Sequence, residues 1–506
     1  MDGKRKLLLN TIAGFTKQIT AIICGFILPR YILLYFGSSV NGLVNTMIHY
    51  LSFISLLDMG VGAVVISNFY CPLAINDAEQ TSRIYKASNR FFRYLALIFV
   101  GYVAVLVFIF PSIVNEGYDT IYTVSLLIII ATSTFVEYFF GMTNNLLLQA
   151  DQKAYIPLTL FSVTTLLNTA ISVLLIIWGA NIQTVKLASA LVFIIRPLAQ
   201  ELYVRRHYRI DKTIKIDTEP IKQKWNGFSQ HLSAVVCQNV DIMALSFFST
   251  MENVSIYSVY YLVVSGLTQL VMTASTGIES FFGNLIAKTE IEKLIDVFEK
   301  IEFACHIIVA MAFTAAAILI VPFVMIYTKG VADAANYCQP LFAILMVSAY
   351  AVRCLRVPYF MVIKAAGHYK QTQNGAFIAA VINVVITVAL VFKFGLIGAA
   401  VGTLIALAYH TIYFVFYLRT NILSRSIYKF IRCLAADISI FVISFLTTSF
   451  IRFECTSYTE WILYAIAVGV IILLVSAVIS VLLFRNNLYA LYGLIKTGRS
   501  APGLKN

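Results

Sequence analysis

Along the 506-residue chain, long apolar runs alternate with short polar connections. The pattern predicts about fourteen such runs, at roughly 8–35, 41–69, 92–113, 119–147, 155–178, 184–204, 227–249, 254–287, 302–327, 337–364, 373–393, 396–418, 430–451 and 461–484. A helix needs about 20 apolar residues to cross the hydrocarbon core of a bilayer. No run alternates apolar and polar positions as a barrel strand would, so the pattern predicts an all-α polytopic membrane protein.

The pattern also repeats. GFTKQITAIICG begins at Gly14 and GFSQHLSAVVCQ at Gly227, 213 residues later, with four identical and five conservative positions among twelve. LNTAISVLL from Leu167 matches INVVITVAL from Ile382 at the nearly equal offset of 215. Two offsets in the same order predict two six-helix lobes, 1–204 and 227–419, joined by a linker at 205–226. Residues 420–506 then add two further helices and a tail. Six is even, so the lobes are parallel in topology, with a pseudo-two-fold along the membrane normal and a central site between them.

Composition and charge add direction. Sixty percent of the residues are hydrophobic and 12% charged, about half the charged fraction of a soluble domain. The net charge of +13 could suggest nucleic acid, but the cations sit in short loops between apolar runs. Such loops set topology and meet anionic headgroups. With the N-terminus inside, the inner segments hold 28 Lys and Arg and the outer ones four, which predicts cytoplasmic termini. The N-terminal run lacks a small-residue cleavage site and is interrupted by Lys17 and Gln18, so it reads as the first membrane helix. The eight cysteines show no metal spacing and read as small apolar fillers. RRHYRIDKTIKIDTEPIKQK at 205–224 reads as a solvated linker, with anionic-lipid binding as the alternative. Ile291, Leu294, Ile295 and Phe298 have helical spacing that predicts a helix lying on the inner membrane surface. Tyr489, Leu491, Tyr492 and Ile495 suggest another near the C-terminus.

No catalytic motif is present: there is no HExxH, P-loop or GxSxG. What remains is ionisable groups at membrane depth, each a site candidate because burying it is costly. Arg353 and Arg356 lie three apart, on one face of a helix that Pro358 interrupts. Each costs roughly 2.5–3.5 kcal/mol at the bilayer centre, so the pair is expected to line a cavity, or else to pair with acids on neighbouring helices. Lys17, Arg30 and Arg196 complete a set of five cations. Asp58, Glu137, Asp241 and Glu279 are the acids, and His231 stands near them in the pattern. The cationic surplus suits a phosphate-bearing ligand, for which arginine is the apt fork-shaped partner. Asp241 and Asp58 are candidates for carrying H⁺ or Na⁺, although pairing and helix packing are the plainer readings. His49, His306 and His410 stand alone in the pattern and read as satisfied interior or interfacial groups. No other cofactor is expected.

The stretch 223–264, with QKWNGFSQHLSAVVCQNVDIMALSFF, resembles the seventh and eighth helices of bacterial oligosaccharide flippases. GIESFFGNLIAKTEIEKL, PFVMIYTKGVADAANY and the run from Leu355 to Tyr413 continue the likeness. RYILLYFGSSVNGL and LLDMGVGAVV carry it more loosely into the N-terminal half. The family is the polysaccharide-transport branch of the multidrug/oligosaccharidyl-lipid/polysaccharide exporter (MOP) superfamily. The resemblance implies a non-enzymatic flippase for undecaprenyl-diphosphate-linked oligosaccharides in the bacterial cytoplasmic membrane, feeding capsule, exopolysaccharide or O-antigen-type polymers. It implies a monomer with a cationic cavity, working beside membrane lipids, a polysaccharide polymerase and glycosyltransferases, and without nucleic acid. Arg353, Arg356, Lys17, Arg30 and Arg196 are then the diphosphate partners, and H⁺ or Na⁺ flow resets the carrier through Asp241 or Asp58. The alternative is an ion-coupled multidrug or small-molecule antiporter of the same superfamily. A membrane-embedded glycan enzyme is disfavoured by the short outer segments.

Overall fold

A computed structural model describes residues 3–58, 61–114, 118–211, 213–214, 228–333, 335–451 and 455–497, and no strand occurs among them. Most of the predicted linker at 205–226 lies outside the described residues. Among the described residues, twelve helices are long and apolar enough to cross a membrane. Two of them, Arg5–Asp58 and Tyr369–Leu423, have 54 and 55 residues, about 80 Å at 1.5 Å per residue. Each holds two of the apolar runs read from the sequence and is broken inside at a glycine of positive φ, Gly37 at 82° and Gly395 at 52°. That is why length and apolarity give twelve helices where the sequence pattern suggests about fourteen segments. Large apolar side chains such as Phe108, Phe392 and Phe450 stand at 83%, 76% and 86% exposure, as expected of a surface solvated by lipid.

The chain forms two compact units. The first comprises Met1–Ser258 with Gly330–Ala335. It contains α1 (Gly3–Ser52), α2 (Ser55–Asp58), α3 (Val61–Ala74), α4 (Ala78–Ile113) and α5 (Thr120–Val136). A π-helical turn, Glu137–Gly141, leads into α6 (Met142–Ala150), followed by α7 (Tyr155–Ile177), α8 (Ile182–His207), α9 (Phe228–Phe248) and the start of α10 (Met251–Ala287). Capping sets two of the starts: Asp77 accepts from Gln80 N and Asn181 from Thr184 N. Leu43, Met47, Phe69, Phe92, Phe110 and Leu147 share one core. Against α10, α1 approaches so closely that a Cβ on Gly42 would stand 1.8 Å from the Met251 carbonyl oxygen, and Asn41 donates to Ser255 Oγ at 2.8 Å nearby. Gly42→Leu is therefore expected to lower the thermal midpoint of the detergent-purified protein, with a cost of about 1–3 kcal/mol or more from overpacking.

Outside the apolar core, Asp151 ties three segments together. It pairs with Lys6 at 3.3 Å and Lys153 at 2.7 Å, and Tyr208 donates to it at 2.5 Å. Burial alone would raise its pKa, but the Lys153 and Tyr208 hydrogen bonds and the two lysine charges hold it below the usual carboxylate range. A lowered folded-state pKa contributes stability above the unfolded value of about 3.9, and that stability is lost as pH falls through the folded value. Asp151→Asn is expected to melt below the parent at pH 7. The gap between the two should close in melts run at progressively more acidic pH.

The second unit comprises Val259–Lys329 and Asn336–Asn506. It contains the rest of α10, then α11 (Ile291–Tyr327), α12 (Pro340–Leu355), α13 (Val357–Ala365) and α14 (Tyr369–Leu418). A π-helical turn, Arg419–Leu423, precedes α15 (Ile427–Ser449) and α16 (Tyr458–Thr497). Gly395 turns α14 into a tight hairpin. A Cβ on Gly398 would lie 2.3 Å from Leu390 O, and one on Gly402 2.2 Å from Thr387 Oγ1. Asn383 donates across the hairpin to Thr403 at 3.1 Å. Pro358 stands in the first turn of α13, just beyond the break at Arg356, as the sequence predicts.

One expectation changes. Residues 291–300 are not a separate surface helix but the first turns of the 37-residue α11. Leu294 and Phe298 are fully buried, in a core with Tyr359, Val362 and Phe430. His49 and His306 are hydrogen-bonded, as the sequence suggests: His49 Nδ1 lies 2.7 Å from Asn239 Oδ1, and His306 Nδ1 lies 2.5 Å from Asp437 Oδ2. The backbone of α16 continues helically to Thr497, but the side chains of the suggested C-terminal amphipathic helix lie outside the described ones.

Candidate functional site

In the second unit the helix break between α12 and α13 positions two cations. Arg353 lies in the last turn of α12, and Arg356 occupies the joint, where Pro358 supplies no N–H to continue the ladder. The Arg353 guanidinium stands 5.9 Å from the Tyr350 ring centre and that of Arg356 stands 5.7 Å from Phe414, both at cation–π range. His410, on the second arm of α14, is an electrostatic neighbour of both arginines and packs edge-on against Phe414 at 4.6 Å. Arg353 Nε and His410 Nε2 are both buried without a hydrogen-bond partner among the described residues. Buried polar atoms left this way cost about 1–3 kcal/mol each unless something satisfies them. The arrangement holds positive charge and hydrogen-bonding capacity ready for an acceptor.

The first unit carries a cavity of about 530 Å³, lined on one side by α1 from Ala21 to Ile48 and on the others by α5, α7 and α8. Arg196 lies in its wall and is bonded to Glu137 of the π-turn, with Nη2 and Nε at 2.8 and 3.3 Å from Oε2. The extra backbone residue of a π-turn reorients side chains and is frequent at functional sites. Lys17 and Arg196 approach the same ring, Phe161, at 5.0 and 5.6 Å. Asn41, Asn45, Asn168 and Thr165 add neutral polar groups to the cavity wall. Pro29 lines the cavity; Arg30 beside it is half-buried and is not among the lining residues.

The remaining groups separate by environment. Asp241, 2% exposed, accepts from Tyr257 at 2.7 Å. Asp58 ends α2 with Oδ1 buried and without a hydrogen-bond partner among the described residues. His231 is its electrostatic neighbour and contacts Ser55 O at 2.6 Å. Glu279 pairs with Lys364 at 2.7 Å. Two features escape the sequence pattern. Lys186 scores there as an outer cation, yet the Asn181 cap starts α8 early enough that Lys186 lines the cavity. Glu302, 1% exposed, accepts from Tyr359 and from both terminal nitrogens of Arg425. Arg425 reads as a loop cation, and nothing in the spacing links it to a residue 123 positions away. No cluster of metal-ligating side chains occurs among the described residues.

No protein-family model matches the chain. No curated protein matches it significantly. Solved structures do. The lipid II flippase MurJ in an inward closed conformation superposes with a TM-score of 0.72 at 16% identity, covering 95% of this chain and 100% of that one. A multidrug resistance MATE transporter of the MOP superfamily, inward-facing, gives 0.56 at 13% identity, covering 80% and 93%. A variant of a MATE transporter from Vibrio cholerae gives 0.57 at 11% identity, covering 83% and 98%. The chain thus has the all-helical fold of MOP-type transporters, that of a multi-pass membrane protein.

Proposed function

We propose that this protein is a flippase that carries undecaprenyl-diphosphate-linked oligosaccharides from the inner to the outer leaflet of the bacterial cytoplasmic membrane, for surface polysaccharide assembly. The observation that carries this reading is the group formed by Arg353, Arg356 and His410, where buried nitrogens of Arg353 and His410 have no hydrogen-bond partner among the described residues. A diphosphate supplies acceptors and charge in the geometry that guanidinium forks suit. The wider coverage of the lipid II flippase than of the MATE transporters supports it. Lys17, Arg30 and Arg196 are secondary partners for the headgroup, and Arg196 ranks lower because Glu137 already neutralises it.

In this reading the two repeats, 1–204 and 227–419, act as lobes in alternating access, while 420–506 adds the last two helices. Both termini are cytoplasmic, the carrier is a monomer, and glycosyltransferases and a polymerase act before and after it. Return of H⁺ or Na⁺ resets it. Asp58, whose buried Oδ1 has no hydrogen-bond partner among the described residues, is the better candidate for that ion than Asp241, whose carboxylate already holds Tyr257.

A second reading, an ion-coupled antiporter for drugs or other small molecules, is favoured by the Glu137 carboxylate in the cavity of the first unit. Lipid extraction from a strain lacking the protein separates the two. The flippase reading predicts accumulation of a polyprenyl-diphosphate oligosaccharide, inaccessible from outside, with loss of surface polymer. An unchanged lipid-linked pool with intact polymer would move the assignment to the antiporter.

A further inference from the structure

A second basic cavity lies away from the residues proposed for transport and includes the Glu302–Arg425 pair. Where α11, α15 and α16 meet, a space of about 270 Å³ is lined by Arg425, Lys429, Arg432 and Arg485 against Glu299 and Glu302. Four cations face two carboxylates, so the lining carries a surplus of two positive charges. The acids are committed: Glu302 to Arg425, and Glu299 to Arg425 and Lys429.

Arg432 is held in place by a defect in α16. Phe484 leaves the helical region (φ −136°, ψ 35°). Arg432 donates to the carbonyl of Leu483 and lies 4.9 Å from the Phe484 ring centre. An arginine has five N–H donors, and the others on Arg432 have no acceptor among the described residues. The guanidinium is therefore anchored through one edge with the rest of its fork available.

The surroundings are apolar and outward-facing. Leu482, Tyr428 and Ile431 border the cavity or the adjoining helix faces at 76%, 68% and 53% exposure, and Val478 and Leu474 continue that face along α16 at 58% and 60%. A basic cavity at the foot of an exposed apolar stripe is the arrangement that receives a lipid with an anionic headgroup.

We infer that this cavity binds a phosphate group, supplied by the headgroup of an anionic phospholipid whose acyl chains lie along the outer face of α15 and α16. The site is independent of the proposed transport reaction and stands or falls without it.

The test uses the full-length protein in detergent, titrated with phosphatidylglycerol or phosphatidylcholine, with bound lipid counted by native mass spectrometry. Phosphatidylglycerol is expected to bind about tenfold tighter or more, since each basic group near a lipid surface contributes about 1 kcal/mol. Lys429→Gln with Arg432→Gln should remove most of that preference, both side chains being exposed enough to replace without unfolding. Lys288→Gln, an exposed cation outside the cavity, should keep it. Equal binding of the two lipids, or a preference unchanged in the double variant, overturns the site. If inorganic phosphate binds the parent but not the double variant while phosphatidylglycerol shows no advantage, the lipid source is overturned and the ligand comes from water.

Discussion

The Arg353→Gln/Arg356→Gln protein is expected to fold, to reach the membrane at parental levels and to lose at least about 99% of its transport. The magnitude follows from the chemistry. A hydrogen bond to a charged partner is worth about 1.5–3 kcal/mol, so losing two costs about 3 kcal/mol or more, and 1.4 kcal/mol is tenfold. Folding should survive, because among the described residues Arg353 supports no buried ion pair and its Nε has no hydrogen-bond partner. Removing that charge takes away a cost of membrane insertion. Arg353→Lys/Arg356→Lys separates charge from geometry. Partial retention of transport would mean that charge suffices, and loss as deep as in the Gln pair would mean that the planar fork is needed. Export measured in cells lacking the native copy, with membrane abundance by immunoblot, checks the prediction. Full export by the Gln pair removes these residues from the site.

The largest expected effect on stability lies elsewhere. Glu302 is almost fully buried and is held by Arg425 and Tyr359. Removing one member leaves the other as an uncompensated buried charge, at a cost of about 3–5 kcal/mol. Arg425→Met is therefore expected to collapse the thermal midpoint and the membrane yield. Replacing both, Arg425→Met with Glu302→Leu, should recover most of the loss, because well-packed apolar residues often replace a buried ion pair at little cost. Size-exclusion profiles and melting curves of the three proteins decide it. A stable Arg425→Met single variant would show that the pair is not what holds α11 to the segment before α15.

What the sequence discloses, and what it hides, divides along physical lines. The apolar runs are legible because each must satisfy its backbone internally in lipid, so helices follow directly from length and hydropathy. The break before α13 is legible because proline removes a donor. Arg353 and Arg356 share a site because three residues of helix bring side chains to one face. Contacts between distant segments are not legible. Nothing in the spacing announces that Glu137 takes Arg196, that Asp437 takes His306, or that Arg425 crosses 123 positions to Glu302. The segment at 291–300 misleads because an amphipathic pattern is the same whether its apolar face meets lipid or protein; here Phe298 meets Tyr359 and Arg425. His410 becomes significant only when the hairpin at Gly395 returns it toward the two arginines.

The most direct measurement of the central claim is translocation in a defined membrane. The purified protein is reconstituted into liposomes that carry a polyprenyl-diphosphate oligosaccharide, and an impermeant enzyme that cleaves the exposed glycan reports how much lipid reaches the outer surface. Protein-dependent exposure of lipid from the inner leaflet, absent from liposomes carrying the Arg353→Gln/Arg356→Gln protein, is the result expected. Cleavage that stops at the initially exposed fraction, in liposomes where the same protein exchanges an organic cation for H⁺ or Na⁺, would contradict the flippase reading.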